Sequence, residues 1–176
     1  MKRMKMPLIY TLAFFVFVIV FLPKAALYYK AETLLEPFKV SVASETVKDR
    51  GFDLVLENGV LYYEDLHVAD LSKITLTPWI LYNRISVAPF VFSPEMESFI
   101  PKDVSSLAVQ YSLLDPLHVI IDGSGAFGTL SGTVGLTDRK ITIDLAPSAE
   151  LNAKKPFWLK QLRRVEGGAY RYETTY

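Results

Sequence analysis

Two short segments hold side chains that could do chemistry. Glu64, Asp65 and His67 place two carboxylates and an imidazole within four residues, and these are the components of general acid–base catalysis. On a strand, however, Asp65 and His67 would face one side and Glu64 the other, so the three groups would not converge. We interpret them as a polar strand edge and predict no catalytic role.

The second segment, Asp122-Gly-Ser-Gly-Ala, resembles a phosphate-binding loop. It lacks the lysine of a Walker loop, and its neighbours alternate as strands do, whereas a phosphate site needs a helix N-terminus. We therefore predict a hairpin turn with flexible glycines. The chain has no Cys, and both His67 and His118 are flanked by apolar residues. Metal cages and nucleophilic triads thus lack their components, so we predict no enzyme, no metal site and no cofactor.

Charge is distributed unevenly along the 176 residues. The 19 basic and 19 acidic residues cancel, but five basic residues and no acidic ones lie in the first 30 positions. The remaining 146 residues hold 14 basic and 19 acidic groups, a net charge of −5. A body this acidic has no broad cationic face to neutralise a phosphate backbone, so we predict no binding to nucleic acid.

The N-terminus predicts a membrane anchor. The 18 residues from Met6 to Pro23 carry no charge. A run of this length is at the lower limit for crossing the hydrocarbon of a bilayer. We predict a cytoplasmic stub and anchor over residues 1–30 and a β domain over residues 31–176. The basic residues before the apolar run put the N-terminus in the cytoplasm, and hence the body in the periplasm of a Gram-negative bacterium. A cleaved signal peptide is the alternative, although no clean small-x-small cleavage site is present.

The body reads as a series of antiparallel strands. Beyond residue 50 apolar residues recur with period two between Gly, Pro, Asn and Asp, and Asn58-Gly59 predicts a tight turn. Nine or ten strands are expected, enough for a sandwich, an open curved sheet or a small barrel. Two stretches break the pattern: residues 31–38 predict a short helix, and residues 93–101 predict a loop that joins the two halves of the body.

A short amphipathic helix is expected near the C-terminus, over Pro156–Val165. Pro156 suits a first helical position, and Gly167-Gly168 would end the helix. It carries Trp158 beside Lys160, Arg163 and Arg164, a combination that suits an anionic membrane surface or an acidic partner. Alternatively, the helix caps an open end of the sheet with its charges in solvent.

The alternating strands also predict an apolar surface within the body. In one interpretation it is an ordinary closed core, and in the other it lines a groove in a sheet that is not fully closed. The candidate groove residues are Ile85, Val87, Leu107, Val109, Leu130, Val134, Ile141 and Ile143.

The order of these features resembles a known family. The Leu34-Leu35 pair follows the anchor, and a Leu-x-Pro-x-x-Leu motif follows at Leu76, Pro78 and Leu81. A Gly-x-Leu-x-Gly-x-Val motif then spans Gly128–Val134, and Gly-Gly-x-Tyr-x-Tyr-Glu spans Gly167–Glu173. The chain in this respect is similar to protein N of the bacterial type II secretion system and, more widely, to the periplasmic AsmA-like and bridge-like sheets.

This resemblance implies a non-catalytic accessory subunit of a type II secretion-like machine. Such a subunit would be anchored in the bacterial inner membrane and would bind other envelope or secretion-system proteins. The alternative is a periplasmic lipid-binding or lipid-transfer module, similar to the bitopic lipopolysaccharide-transport subunit. A lipid carrier must leave a continuous apolar stripe accessible, whereas a scaffold should close its core and expose a compact patch.

Overall fold

The computed structural model describes residues 5–87, 89–96, 102–154 and 156–176. Helix α1 (Lys5–Phe21) is followed by α2 (Lys24–Leu35) and a 3-10 turn (Glu36–Phe38). The helix predicted over residues 31–38 is thus the second half of α2 and the 3-10 turn after it. Helix α2 crosses the boundary that we predicted at residue 30 between the anchor and the β domain. No described helix is by itself long and apolar enough to be a candidate membrane span. Met6–Phe21 and Lys24–Phe38 pass that test only together, as a pair bent by 55°.

Lys24 occupies the break between α1 and α2. Pro23 has no amide hydrogen to continue the helix, and the last carbonyls of α1 need other donors. The Lys24 ammonium donates to the carbonyl oxygens of Val20 and Leu22, at 3.2 and 3.3 Å, and lies 3.6 Å from a carboxylate oxygen of Asp49. With its side chain 1% exposed, Lys24 joins the end of α1 to the sheet.

The body is one antiparallel sheet of twelve described strands, not two sheets in a sandwich. The strands are β1 (Val40–Ala43), β2 (Thr46–Asp49), β3 (Leu54–Tyr63), β4 (Leu66–Pro78), β5 (Tyr82–Val87), β6 (Phe90–Phe92), β7 (Asp103–Ser112), β8 (Asp115–Gly125), β9 (Gly128–Gly135), β10 (Lys140–Pro147), β11 (Arg163–Arg164) and β12 (Tyr170–Thr175). Their order is β1-β3-β4-β5-β7-β8-β9-β10-β12-β11. In addition, β2 pairs with β3, and β6 lies between β4 and β7.

The two faces of this sheet differ in polarity. Residues directly opposite each other on paired strands share a face. One such row runs through Leu54, Leu76, Ile85, Val109, Ile121, Gly132, Ile143 and Tyr172. The next row on the same face runs through Leu56, Ile74, Val87, Leu107, Gly123, Leu130, Leu145 and Tyr170. We name the face that carries both rows the apolar face. The other side, the polar face, has Ser86, Asp122, Ser131, Asp144 and Arg171 in one row.

The two ends of the strands also differ. The turns that follow β2, β4, β7 and β9 lie at one end of the strands. We name it the anchor end, because the end of α1 lies against the β2–β3 turn there. The β3–β4 and β8–β9 turns lie at the far end. Near the far end, α3 (Ala149–Lys154) and a 3-10 turn (Phe157–Gln161) bring Leu151 and Leu159 onto Leu145. A larger buried cluster, centred on Leu56, Leu71 and Phe90, lies across β3, β4, β6 and β7.

Three local predictions are wrong. Asn58-Gly59 does not form a turn, because β3 continues through it with Asn58 at φ +59°, and the hairpin turn is Glu64–Asp65, both residues having positive φ. The Asp122–Gly125 segment lies within β8, and the turn follows at Ala126–Phe127. The expected helix over Pro156–Val165 is only a 3-10 turn, since Leu162 is extended and Arg163–Arg164 pair with β12.

Of the loop predicted over residues 93–101, Pro94–Met96 form a 3-10 turn. Residues 97–101 lie outside the described part of the chain.

Candidate functional site

The eight predicted groove residues all lie on the apolar face. Ile85, Val109 and Ile143 belong to its first row, and Val87, Leu107 and Leu130 to its second. Val134 and Ile141 lie opposite each other one row closer to the anchor end. Ile85 is 48% exposed, and the other seven are half-buried rather than buried. The structure therefore brings these residues together on an accessible surface, while a role for them in ligand binding stays a prediction.

A wholly apolar cavity of about 610 Å³ lies on this face towards the far end. Strand residues and aromatic side chains line it. The lining residues include Phe90, Leu107, Phe127, Leu130, Ile143 and Trp158. The volume is within the range of small-molecule sites, about 300–1,000 Å³. Because the lining exposes no polar surface, the cavity suits a hydrocarbon chain and offers nothing to bind a charged or hydrogen-bonding ligand.

A second cavity of about 350 Å³ lies at the anchor end, between α2 and the sheet. Leu27 and Tyr28 of α2 face Leu54, Leu76 and Ile85 across it. Tyr28 is held in place because its hydroxyl donates to a carboxylate oxygen of Glu45 at 2.9 Å. Leu54, Leu76 and Ile85 belong to the same row as Ile143 of the far cavity, so the two cavities are parts of one apolar face.

Two glycines form the middle of that face. A Cβ atom at Gly132 would lie 3.3 Å from Cγ1 of Ile143, and one at Gly123 would lie 3.3 Å from Cδ1 of Leu107. Neighbouring side chains therefore close over both positions. A larger side chain at either glycine would push these neighbours, which line the far cavity, outward.

The polar face carries a bidentate ion pair. Arg171 donates from Nε and Nη2 to the two carboxylate oxygens of Asp144, at 2.6 and 2.9 Å. These hydrogen bonds and the charge of Arg171 lower the pKa of Asp144 below its usual range. Nearby, the hydroxyls of Ser106 and Ser124 are 2.8 Å apart. The arrangement makes one side of the sheet well hydrated and leaves the apolar face as the side that gains from burial.

The candidate catalytic residues do not form a site. Glu64 pairs with Lys39, while His67 Nε2 lies 3.0 Å from Asp70. His118 contacts Asp115 at 2.8 Å, on another strand. The two glycines of the Asp122 segment, Gly123 and Gly125, lie within β8 and not at a helix N-terminus. Among the described residues, no three His, Cys, Asp or Glu side chains are grouped as metal ligands would be.

The basic segment near the C-terminus is divided between two elements. Trp158 and Lys160 belong to the 3-10 turn, and Arg163 and Arg164 form β11. Trp158 is half-buried and contacts the cluster around Leu145, whereas the three basic residues are exposed. Trp158 therefore contributes to the far cavity, and the basic side chains face solvent beside it.

Sequence reasoning missed several parts of the site. Ile121, Gly132 and Tyr172 continue the alternation of the predicted groove residues, so their period-two spacing could have identified them. Tyr28 had no such signal, because a helix brings it to the sheet.

Comparison of the chain with protein-family models, with curated proteins and with solved structures finds no match in any of the three.

Proposed function

We propose that the protein is a membrane-anchored, non-catalytic module that holds acyl chains on the apolar face of its sheet. The observation that carries the proposal is the accessible apolar face, with a wholly apolar cavity at one end and a second cavity under α2 at the other. A hydrocarbon chain gains free energy from leaving water for such a surface and needs no polar partner there.

Helix α1 supports the membrane anchor in this proposal. Its side chains are apolar on every side and largely exposed, with Leu8 71%, Tyr10 69% and Phe21 68% exposed. A helix that is apolar all round is buried in a core or in a membrane, and α1 does not pack into the core of this sheet. Its 17 residues are at the short limit for a span. With the basic residues at its start, the body would lie on the periplasmic side of a bacterial inner membrane.

The relation to protein N of the type II secretion system stays a prediction. A secretion subunit and a lipid-binding module would share the anchor and the sheet. They differ in what contacts the apolar face, which is a protein partner in the first case and acyl chains in the second. An apolar face that extends across the sheet, with half-buried residues along it, favours acyl chains.

Photo-crosslinking tests the proposal. Cells that express the full chain are grown with a diazirine-bearing fatty acid, which enters their phospholipids, and are irradiated before mass-spectrometric mapping of the adducts. We expect adducts on Leu107, Leu130 and Ile143 in addition to those on α1. Adducts confined to α1 would leave a membrane anchor and contradict acyl-chain binding by the sheet. Adducts on neither would contradict both parts of the proposal.

A further inference from the structure

The turns at the anchor end carry large apolar side chains that the fold leaves uncovered. We name Trp79, Ile80, Leu81, Leu113, Leu114 and Leu136 the rim. Leu114 is 93% exposed and Leu81 62%, and the other four are 40–48% exposed. They come from three successive turns, which follow β4, β7 and β9. Scattered single apolar residues are normal on a surface, but a row of them along one end of a sheet indicates a contact.

The residues of the far-end hairpin turns differ in composition. Its β3–β4 turn is Glu64–Asp65, and both side chains are exposed. The β8–β9 turn there contains Phe127, which packs inward and lines the far cavity. Tyr63 and Leu66, which flank the β3–β4 turn, are 50% and 47% exposed, so the anchor end differs in that the turn residues themselves are apolar and exposed at three turns.

Hydrogen bonds join the rim turns to their neighbours. A row of linked turns keeps its apolar side chains at one level, which a set of independent loops would not do. The bonds run from Trp79 Nε1 to the Phe52 carbonyl (3.1 Å), from the Leu113 amide to the Leu81 carbonyl (3.0 Å), from the Leu136 amide to the Leu117 carbonyl (2.8 Å) and from the Tyr176 amide to the Arg139 carbonyl (3.1 Å).

Helix α1 reaches the sheet at this same end. Val20 lies against the β2–β3 turn, 3.8 Å from where a Cβ of Gly51 would be, and Lys24 bonds α1 to the carboxylate of Asp49. The 17 residues of α1 span about 25 Å, whereas the hydrocarbon of a bilayer is about 30 Å thick. The β2–β3 turn, which contacts the end of α1, would therefore lie close to the membrane interface, and the rim turns lie at the same end of the strands.

We infer that the rim is a second membrane contact, which inserts into the interfacial layer of the bilayer that holds α1. The inference rests on the membrane anchor of the proposed function. A lipid surface is the occupant because the rim continues the apolar surface of α1 and combines Trp with Leu and Ile, as interfacial segments do. Charged groups of the same turns, such as Asp115 and Arg139, then lie at the level of the lipid headgroups.

Seating the rim in the bilayer has a consequence for ligand exchange. The α2 cavity is lined by Leu54, Leu76 and Ile85, which lie at the anchor end of their strands. An acyl chain could then pass from the bilayer to the apolar face along a short path that does not cross bulk water. The sheet would stand on the membrane with its far cavity away from it.

Labelled cysteine variants of the full chain test the inference directly. The chain contains no Cys, so Leu114→Cys and Leu136→Cys each introduce the single reactive thiol. Leu66→Cys is the matched control, because Leu66 is 47% exposed at the far end and Leu136 is 44% exposed at the rim. Phe14→Cys, at a position 62% exposed on α1, reports on the anchor. Each variant is labelled with a polarity-sensitive fluorophore and reconstituted into vesicles of phosphatidylcholine and phosphatidylglycerol.

We expect the labels at positions 114 and 136 to shift to shorter emission wavelengths and to lose most of their fluorescence to nitroxide-labelled lipids. The label at position 66 should instead be quenched by aqueous iodide. If position 14 is quenched by lipid nitroxides while 114 and 136 respond to iodide as 66 does, the rim inference is overturned and the anchor stands. Rim labels shielded from both quenchers would indicate a protein cover and also overturn the inference. A label at position 14 that iodide quenches would contradict the anchor itself.

Discussion

Replacing Ile143 with Asp should separate a ligand-binding face from a closed core. Ile143 lines the far cavity and is half-buried, so its replacement removes only part of the roughly 1.5–3 kcal/mol that full burial of an Ile contributes. The new carboxylate can hydrate at the open face. We expect a loss of about 1–2 kcal/mol, which lowers Tm by roughly 2–8 °C in a chain of this size. The variant should remain folded.

The effect on bound lipid should be much larger. An acyl chain seated in the far cavity would have to strip water from the introduced carboxylate, with no polar group in the lining to replace it. A desolvation cost of about 3 kcal/mol corresponds to a roughly 100-fold loss of affinity. Native mass spectrometry of the detergent-extracted full chain should find copurified lipid on the wild type and little on Ile143→Asp.

Ile120→Asp is the matched control. Ile120 is also half-buried, but it lies on the polar face, opposite Gln110 and Thr133. It should lose a similar amount of stability and keep its lipid. Leu56→Asp gives the other limit, because Leu56 is 1% exposed in the buried cluster, and an unpaired charge there costs several kcal/mol out of a total stability of about 5–15. That variant should unfold, as circular dichroism would show.

Two results would refute this reasoning. If Ile143→Asp retains as much lipid as Ile120→Asp, the apolar face is not the binding site. If Ile143→Asp unfolds as Leu56→Asp does, position 143 belongs to a closed core, and the secretion-scaffold interpretation becomes the better one.

Three further predictions concern the frame of the site. Lys24→Met removes the ammonium that donates to the Val20 carbonyl at the end of α1, at about 1–3 kcal/mol, whereas the Leu22 carbonyl still accepts from the backbone amide of residue 24. Hydrogen exchange should therefore accelerate around the α1–α2 break and not in the sheet. Gly128→Ala should lower Tm more than Gly168→Ala: both glycines have positive φ, but a Cβ at 128 would lie 2.1 Å from a backbone oxygen of the facing strand, while one at 168 meets nothing within 4 Å. Equal losses of Tm would show that the positive φ alone, and not the close contact, determines the loss of stability. Asp144→Asn should remove an acid-sensitive contribution to stability. Because the pKa of Asp144 is lowered in the fold, its ion pair stabilises the fold fully above the ordinary carboxyl pKa of about 4, and this stabilisation is lost as the pH falls through the lower folded pKa. The free energy of unfolding in urea should show this small pH dependence for the wild type and not for the variant.

Period-two alternation was sufficient to predict the antiparallel sheet and to select eight residues that share one face. That success has a simple cause, since successive side chains of a strand point to opposite faces whatever the partners are. Turn positions were harder, because Asn58-Gly59 has the dipeptide of a tight hairpin and yet lies within β3. Asn58 adopts its positive φ within the strand, where the backbone is locally irregular, and Glu64 and Asp65 form the actual turn with positive φ.

The C-terminal segment shows the same limit. The apolar spacing of Trp158, Leu162 and Val165 suits a helix, but pairing with β12 draws Arg163 and Arg164 into a strand. Backbone hydrogen bonds to a neighbouring strand outweigh the weak preference of a short segment for helix. Such a partner is distant in sequence and invisible to a local pattern.

By itself the sequence determined that the chain has an uncharged apolar segment near its N-terminus, continues as antiparallel strands and contains no Cys. These properties depend on residue type and local spacing alone. Tertiary structure decided whether the apolar residues would be buried or accessible, because that depends on which strands pair and on what covers them. It also decided that the turns after β4, β7 and β9 lie at one end beside α1, since residues far apart in sequence become neighbours only when the order and direction of the strands are fixed.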